Sequence, residues 1–489
     1  PAHHGHTWFE NLTHWNKADG SFGLYPEIVM QTGAHLAHSA EIIQNAYDAS
    51  HATAMGVSLT VVDKINIARL LDDLGFDYIE GGYPLSNPKD VAFFEEARKV
   101  QWKHARVCAF GMTRRKGIDA KDDPGMQALV AAGARVVTIV GKTWDLHVDE
   151  VLAVSRDENL AMIRESVAFC AQADAVEEVF YDAEHFFDGY KANPEYAMQT
   201  LGAAVEGGAT RLVLCDTNGG SLPQDITAAV QAVSAFLKSE IGNLKSEIPK
   251  LAIHPHNDAG LAVANALAAV DAGCVQVQGT VNGIGERCGN VDLVTVAANL
   301  AIKLGREVLR PGAVERLHEL SRFVYDAAGL SPHAGQPYVG DGAFAHKGGM
   351  HVHAVQKLAH SYEHVPPGSV GNQRQIIVSE LSGASNIAAA VGEKFGITDD
   401  KAAQRRILER VQDLEHEGYQ FEHARASYEL LVYETLGKRP AFWELDHYRC
   451  IITRIGGDPA QPVSTEATVK LLIDSEPAHH VAEGDGPVN

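Results

Sequence analysis

Residues 212–258 read LVLCDTNGGSLPQDITAAVQAVSAFLKSEIGNLKSEIPKLAIHPHND. The apolar run Leu212–Cys215 is followed by an Ala-rich amphipathic stretch, Pro223–Lys238, and then by a second apolar run, Leu251–His254. Short apolar runs separated by a helical pattern are typical of parallel strands that a helix joins. The stretch therefore predicts a βαβ unit in a parallel sheet.

The same alternation extends from about residue 42 to residue 305. It predicts eight strands, at Ile42–Asp48, Tyr78–Gly82, Arg106–Phe110, Val136–Val140, Glu178–Asp182, Leu212–Cys215, Leu251–His254 and Val275–Gln278. Several of the helical stretches end at a glycine before the next strand, namely Gly75, Gly133, Gly208 and Gly273. Eight strands and eight helices favour an α/β fold of the (β/α)8 type, a TIM barrel. A doubly wound open sheet is the alternative, but no GxGxxG opens the first helix.

Beyond residue 305 the pattern changes. Helical segments broken by loops rich in Gly, Pro and His predict a helical subdomain, and alternation after Phe442 predicts the truncated start of a small α/β domain. We place no domain in residues 1–40, the barrel in 41–310, the helical subdomain in 311–435 and the partial α/β domain in 436–489.

The composition is acidic. The chain has 41 Lys and Arg residues against 63 Asp and Glu residues, a formal net charge of −22. Such a surface repels the phosphates of nucleic acids and anionic lipids. The six cysteines form no CxxC pair, and no apolar run approaches the ~20 residues of a membrane span. Because no N-terminal secretion signal is seen either, we expect a cytoplasmic protein that binds neither nucleic acid nor a membrane.

The densest group of polar side chains at a predicted strand end is His254-Pro255-His256-Asn257-Asp258. The active sites of TIM barrels form at the carboxyl ends of the strands. Because residues i and i+2 of a strand point to the same side, His254 and His256 can present two imidazoles to one cation. Chance spacing of two histidines is the alternative.

Two other strand ends carry polar groups. Asp182 and Glu184 follow the fifth strand, where one carboxylate can orient a partner while the other transfers protons. Asp216–Gly220, after the sixth strand, offers a carboxylate, a hydroxyl and backbone amides that suit a small oxyacid. Helix-capping and turn chemistry is the alternative for both groups.

Two Gly-flanked stretches complete the candidates. The composition of Gly283–Asn290, after the eighth strand, favours a loop shaped around a ligand, with an ordinary flexible turn as the alternative. In the helical region, Ala345–His353 contains three histidines and a lysine, which solvent exposure would also explain.

These residues resemble the signature of a known family. His254–Asp258 and Gly279–Asn290 are similar to motifs of the acyltransferases that comprise isopropylmalate, homocitrate and citramalate synthases. The citramalate synthase branch is the most similar, from about Gly56 to the C-terminus, through Tyr78–Pro84, Phe110–Gly117, Asp182–Lys191, Phe344–Val355 and Leu414–Val432.

The resemblance implies a reaction and a metal. The family joins acetyl-CoA to a 2-keto acid in a Claisen condensation and then hydrolyses the thioester, which for pyruvate gives citramalate and CoA in isoleucine biosynthesis. It implies a divalent cation, Mn²⁺ or Mg²⁺ with Zn²⁺ or Co²⁺ possible, held by His254, His256 and Asn290. Isopropylmalate or homocitrate synthase activity is the nearest alternative.

The resemblance also assigns roles outside the metal site. Glu184 matches the catalytic glutamate, and Thr217 matches a threonine that contacts the carboxylate of the keto acid. His351 and Tyr362 match a catalytic histidine and tyrosine that reach the partner subunit's barrel, which implies a homodimer. Residues 436–489 resemble the start of the family's regulatory domain.

One stretch departs from the family pattern. Where the family has Asp-Thr-Thr-Leu-Arg-Asp-Gly at the first strand, this chain has Tyr47–Ser58, which contains neither that Arg nor the second Asp. Three interpretations stay open. Residues 1–55 are not the native start of the protein, or Asp48 or His51 compensates, or the chain is a catalytically impaired homologue that still binds a metal or an acyl-CoA.

Overall fold

The computed structural model describes residues 57–241, 248–377, 383–421, 424–439, 442–453 and 464–484, and two short strands before them. Those strands, Thr13–Asn16 (β1) and Ser21–Leu24 (β2), pair with each other in antiparallel fashion. The predicted first barrel strand, Ile42–Asp48, lies outside the described residues. So does the Tyr47–Gly56 part of the stretch that departs from the family.

A parallel sheet of seven strands forms the core of the molecule. The strands are Tyr78–Glu80 (β3), Arg106–Met112 (β4), Val136–Lys142 (β5), Glu178–Glu184 (β6), Arg211–Asp216 (β7), Lys250–Pro255 (β8) and Gln276–Val277 (β9). Each pairs with the next in chain order, and every pairing is parallel. The seven strands confirm the predicted α/β barrel architecture over the described part of the chain.

Helices alternate with these strands. They are Val61–Leu74 (α1), Pro88–Ala97 (α2), Pro124–Ala131 (α3), Arg156–Ala171 (α4), Phe186–Ala192 (α5), Pro194–Gly207 (α6), Pro223–Phe236 (α7), Ala262–Ala272 (α8) and Leu293–Ala298 (α9). Short 3₁₀ or π turns lie at Ala120–Asp122, His147–Leu152, Leu237–Ile241, Val281–Gly283, Asn299–Lys303 and Val314–Arg316.

Local chemistry fixes where these helices begin and end. At the start of α1, Thr60 Oγ1 accepts a hydrogen bond from the Asp63 amide, and the Asp63 carboxylate accepts one from the Thr60 amide, which makes a capping box. The four predicted stop glycines all have positive φ: +93° at Gly75, +67° at Gly133, +98° at Gly208 and +120° at Gly273. Glycine adopts positive φ without steric conflict because it has no Cβ atom. The prediction that helices end at these residues is confirmed.

The sheet is covered on both faces. Between the strands and the surrounding helices lies the main hydrophobic core, with Ile79, Ile139 and Leu212 from the strands. The other face carries a smaller cluster that includes Val136 and Phe180. Because both faces carry buried apolar clusters, most strand residues are apolar, which is why the strands could be predicted as short continuous runs.

The two outer strands of the sheet, β3 and β9, line a cavity of about 890 Å³. Tyr78 and Glu80 contribute from β3, and Gln276 and Gln278 contribute from the other side.

The described chain divides into two compact units, of which the first is residues 1–345 with 363–374. This unit extends beyond the predicted barrel limit of 310. Helix Leu317–Ala328 (α10) buries Leu317, Leu320 and Val324 in the main core. Just before it, Arg316 Nη1 lies 2.7 Å from the Asp73 carboxylate at the end of α1. These contacts explain why the unit includes the segment.

The second unit is residues 346–362 with 375–489. The elements from its border onward are Ala345–His346 (β10), Gly349–Lys357 (α11), Gln375–Ile376 (β11), Ala384–Phe395 (α12), Lys401–His416 (α13) and Arg425–Thr435 (α14). One-turn 3₁₀ helices lie at Ala359–Ser361 in this unit and at Pro367–Val370 in the first. The last three helices share a core of Ile387, Val391, Ile407, Val411 and Val432, so the helical part of the prediction is confirmed.

An antiparallel sheet ends the described chain. Its strands are Glu444–Thr453 (β12), Ser464–Ile473 (β13) and Glu476–Gly484 (β14), in that order. The first two confirm strands that the alternation predicts, whereas β14 follows a two-residue turn at Asp474 and Ser475, both of positive φ, and was not predicted. Residues 442–484, as far as the structure describes them, contain strands without a helix, so the α/β character expected there stays a prediction. No helix among the described residues has the length and apolar character needed to cross a membrane.

Candidate active site and metal centre

The sheet brings five of the seven predicted site residues to one rim. Glu184 is the last residue of β6, Thr217 follows β7, and His254 and His256 lie at and just after the end of β8. Asn290 joins them because its backbone makes an antiparallel bridge with His256. Since all seven strands run in the same direction, their carboxyl ends form a single edge, and these side chains meet there.

The two histidines and Asn290 form the predicted metal group. The rings of His254 and His256 are stacked, with centroids 5.2 Å apart and an angle of 22° between their planes. Asn290 Nδ2 lies 3.1 Å from His254 Nε2. All three side chains are buried, with exposed fractions of 6% or less.

The polar atoms of this group fit a cation. Asn290 Oδ1 is buried and has no hydrogen-bond partner among the described residues. A buried amide oxygen without a partner costs free energy, so the site needs a further polar group. Rotation of the amide about its Cβ–Cγ bond would exchange Oδ1 for Nδ2 beside His254 Nε2. An imidazole nitrogen and an amide oxygen would then face the same point, as donors to one metal ion.

A support behind His254 fixes the state of its ring. His254 Nδ1 lies 2.9 Å from Gln278 Oε1, and Gln278 Nε2 donates to Asp182 Oδ1 at 3.3 Å. Because the amide oxygen can only accept, Nδ1 carries the hydrogen and Nε2 keeps a lone pair. That lone pair is the one a metal ion would take, which is the usual arrangement of a metal-binding histidine with an outer partner.

His254 also belongs to a second group of possible ligands. Asp182, Cys215 and His254 each place one ligand atom within 4.8 Å of the others, and all three are buried. Burial, with nearby carboxylates that include Asp182, raises the pKa of the Cys215 thiol well above its usual value, so the sulfur carries its proton in this environment. A bound cation would displace that proton, so Asp182, Cys215 and His254 remain a possible ligand set that shares His254 with the first.

The candidate catalytic carboxylate, Glu184, forms an ion pair with Lys142. The two residues lie opposite each other in the pairing of β5 with β6, and their side chains are 17% and 20% exposed. The ion pair keeps Glu184 at the rim in a defined orientation. A carboxylate held in this way can accept a proton from a carbon acid that is brought beside it.

Thr217, the candidate contact for a substrate carboxylate, is fixed by the neighbouring loop. Its Oγ1 accepts a hydrogen bond of 2.8 Å from the His185 amide. The side chain of the neighbouring Asp216 is hydrogen-bonded within the turn, where its Oδ1 accepts a hydrogen bond of 2.8 Å from Ser221 Oγ. Burial raises the pKa of this carboxyl group. The capping and turn alternative therefore accounts for Asp216, and Thr217 remains the ligand candidate of this stretch.

The remaining two predicted residues lie in the second unit, which the structure describes by itself. The rings of His351 and Tyr362 are stacked, with centroids 4.3 Å apart, and the Tyr362 side chain is exposed. Of the other two histidines in the stretch Ala345–His353, His346 is buried and His353 is exposed. The structure thus pairs His351, from the His-rich stretch Ala345–His353, with Tyr362, the other residue that the resemblance selected in this unit.

Comparisons with known proteins extend these observations. A family model described as HMGL-like matches residues 51–324, and one described as homocitrate synthase post-HMGL domain-like matches residues 338–419. The (R)-citramalate synthase of Geobacter sulfurreducens is 46% identical over 438 residues, which are 89% of this chain and 80% of the relative. The enzyme of that name from Aquifex aeolicus is 46% identical over 436 residues, with the same two shares.

The chain belongs to the citramalate synthase family. A probable 2-isopropylmalate synthase of Methanopyrus kandleri is more distant, at 34% identity over 366 residues, 74% of this chain and 67% of the relative. Among solved structures, the HMG-CoA lyase of Brucella melitensis is similar with a TM-score of 0.45 and 20% identity, over 55% of this chain and 92% of that chain.

Two residues of this citramalate synthase family member were not predicted as part of the site. Lys142 lies two residues beyond Val140, where the predicted strand ends. A prediction that continued the strand to Lys142 would have placed this residue at the rim. Gln278 lies at the end of a predicted strand, where a single amide gives no signal of its own. Its role depends on contacts with Asp182 and His254, which are far away in the sequence.

Proposed function

We propose that this chain condenses acetyl-CoA with pyruvate and hydrolyses the product to citramalate and CoA. The observation that carries the proposal is its 46% identity to (R)-citramalate synthases over 89% of the chain. The rim of the sheet adds independent support, since it gathers a carboxylate, a hydroxyl and a possible metal group at one edge.

His254, His256 and Asn290 are the proposed ligands of a divalent cation, for which the mixture of imidazole and oxygen donors favours Mn²⁺ or Mg²⁺, with Zn²⁺ and Co²⁺ as further candidates. The observation behind this choice is the buried Asn290 Oδ1 that lacks a partner among the described residues. When bound, such a cation holds the keto acid by its oxygens and polarises the carbonyl group.

Glu184 is the proposed base. It takes a proton from the methyl group of acetyl-CoA, and the carbon that loses the proton forms a bond to C2 of pyruvate. The keto oxygen gains a proton and becomes a hydroxyl group, which gives citramalyl-CoA. Water then cleaves the thioester to release citramalate and CoA. General base catalysis of this kind contributes about 10²–10⁴-fold to a rate.

The Thr217 hydroxyl is proposed to donate a hydrogen bond to the carboxylate of pyruvate. His351 and Tyr362 are proposed to take part from the partner subunit of a homodimer. Their stacked rings in the second unit and the match of a homocitrate synthase post-HMGL model to residues 338–419 support a shared role for this pair.

The test is release of CoA from acetyl-CoA, followed with a thiol reagent, by the purified chain with Mn²⁺ and a panel of 2-keto acids. We expect release with pyruvate and its loss when a chelator removes the metal. Release with 2-ketoisovalerate alone would assign isopropylmalate synthase activity instead, and release with 2-ketoglutarate alone would assign homocitrate synthase activity.

A second candidate function is binding of a metal and an acyl-CoA without turnover. The observation that favours it is the sequence Tyr47–Met55, which lacks the family's Arg and second Asp and lies outside the described residues. A version with Asp-Thr-Thr-Leu-Arg-Asp-Gly in place of this stretch separates the two functions. Activity in the replaced version alone would locate the defect there. Activity in both versions would show that other residues supply the missing charges.

A further inference from the structure

Thr217 is held from two sides, by the loop that follows β6 and by the loop that follows β9. Its Oγ1 accepts a hydrogen bond of 2.8 Å from the backbone amide of His185, which follows β6. Its carbonyl oxygen accepts one of 2.7 Å from Arg287 Nη2, in the loop after β9. Both the backbone and the side chain of Thr217 are therefore anchored by groups outside its own loop.

The two residues that hold Thr217 share an uncommon backbone. His185 has φ +57° and Arg287 has φ +53°, although neither is a glycine. Residues other than glycine adopt this conformation at a cost in free energy, and such positions persist where the surrounding structure fixes them. Two of them in contact with one threonine indicate that the placement of this threonine is under constraint.

Each anchor is itself fixed by further contacts. His185 Nδ1 lies 3.1 Å from Asp188 Oδ2, and the same oxygen accepts a hydrogen bond of 3.0 Å from Asn218 Nδ2, next to Thr217. Arg287 binds Asp258 with two nitrogens, Nε at 2.7 Å and Nη2 at 2.9 Å. The loops after β6, β7, β8 and β9 are thus joined around Thr217.

The hydrogen bond from His185 decides what the Thr217 hydroxyl can do. A backbone amide can only donate, so Oγ1 accepts in that contact and its own proton points elsewhere. A carboxylate can only accept. The hydroxyl is therefore already oriented as a donor, without the loss of rotamer freedom that a loose threonine would undergo on binding.

We propose that His185 and Arg287 are positioning residues, which hold Thr217 so that its hydroxyl donates to the carboxylate of a 2-keto acid. The proposal rests on the function proposed above and adds to it the two residues that place its Thr217 contact. Loss of either anchor weakens the binding of the keto acid and leaves the binding of acetyl-CoA and of the metal as it is.

The experiment compares His185→Val with His185→Asn. Valine is β-branched and disfavours positive φ, so the amide turns away from Thr217, whereas asparagine tolerates this backbone and keeps the amide in place. We expect the KM for pyruvate to rise about tenfold in His185→Val and less than threefold in His185→Asn, since one oriented hydrogen bond is lost only in the former. The KM for acetyl-CoA and the affinity for Mn²⁺ stay within twofold in both variants.

A matched control measures the effect of strain alone. Asp474 lies in the turn between β13 and β14 with φ +50°, so Asp474→Val imposes the same backbone conflict outside the proposed site. We expect a lower melting temperature and an unchanged KM for pyruvate. Arg287→Lys gives a second arm, because lysine cannot bind Asp258 with two nitrogens and reach the Thr217 carbonyl as well. We expect this variant to raise the KM for pyruvate as His185→Val does.

Binding of pyruvate in the presence of Mn²⁺, followed by calorimetry, separates this proposal from the proposed function. If the parent chain binds pyruvate but releases no CoA, the proposed function fails, and the dissociation constants of the variants still decide the role of His185. Equal dissociation constants in His185→Val and His185→Asn would overturn the positioning role. An equal rise in the KM for acetyl-CoA, or a parent chain that binds no pyruvate, would overturn it too.

Discussion

His254 Nε2 lies 3.1 Å from Asn290 Nδ2, while Oδ1 of the same amide is buried without a hydrogen-bond partner in the part of the chain that the structure describes. The Asn290 amide thus points its NH₂ group, the hydrogen-bond donor, toward His254 Nε2, which carries a lone pair. A metal ion at His254 Nε2 would favour the opposite amide orientation, which satisfies the buried oxygen. The pair is therefore the place where removal of an oxygen donor tests the proposed metal site.

This relationship predicts the effect of substitutions at Asn290. Asn290→Leu removes the oxygen donor, and we expect the affinity for Mn²⁺ to fall about 10–100-fold, as for other losses near a metal site. Asn290→Asp supplies an anionic oxygen, and we expect it to retain the metal. Titration of Mn²⁺ followed by electron paramagnetic resonance measures both. Cys288→Ser, an exposed position in the same loop, is the control, and an equal loss there would show that the loop rather than Asn290 is responsible.

Removal of a histidine ligand should differ from removal of the base. His254→Ala or His256→Ala should abolish binding of the metal, because a ring that supplies a ligand nitrogen is gone. Glu184→Gln should leave the metal in place and lower kcat by about 10²–10⁴-fold. Equilibrium dialysis against Mn²⁺, alongside the CoA-release assay, distinguishes the two cases. Loss of the metal in Glu184→Gln would show that Glu184 is a ligand and not the base.

Gln278 should act on the metal without touching it. Gln278→Leu removes the acceptor of the His254 Nδ1–H hydrogen bond, so the ring loses its fixed tautomer and orientation. We expect the affinity for Mn²⁺ to fall about 10-fold or more. Gln278→Glu keeps an acceptor for Nδ1 and should lose less. If both substitutions left the affinity unchanged, the Asp182–Gln278–His254 chain would have no influence on the metal.

Asp73 should contribute to stability in a pH-dependent way. Hydrogen bonds from Arg316 and then from Lys103 lower the pKa of Asp73 from 3.8 to about 2. A carboxyl group whose pKa is lower in the folded state contributes stability above pH 3.8, and this contribution is lost as the pH falls toward 2. We expect Asp73→Asn to lower the melting temperature by about 1–3 °C at pH 7 and by less near pH 2.5.

Differential scanning calorimetry between pH 2.5 and pH 7 measures this difference. Asp119→Asn is the matched control, because Asp119 is exposed and its ion pair with Lys121 is long at 3.8 Å. We expect no change in that variant at either pH. A decrease in Asp73→Asn that is as large at low pH as at neutral pH would contradict the prediction, because the ion pairs with Arg316 and Lys103 would then not be its source.

Much of the fold follows from patterns that are local in sequence. A run such as Val136–Val140 is apolar because its strand is buried on both faces, and a stop such as Gly208 is a glycine because the backbone there has positive φ. The histidine ligands also follow from local spacing, since His254 and His256 are two residues apart at a strand end. These features need no knowledge of distant contacts.

The sequence by itself determined the barrel architecture, the pair His254 and His256, and the family motifs around Glu184 and Thr217, because each depends on neighbours along the chain. Only the tertiary structure decided that Lys142 pairs with Glu184, that Gln278 supports His254, and that His185 and Arg287 hold Thr217. Those contacts join residues from different βα units. Their partners are selected by the order and register of the strands, and local propensity carries no record of either.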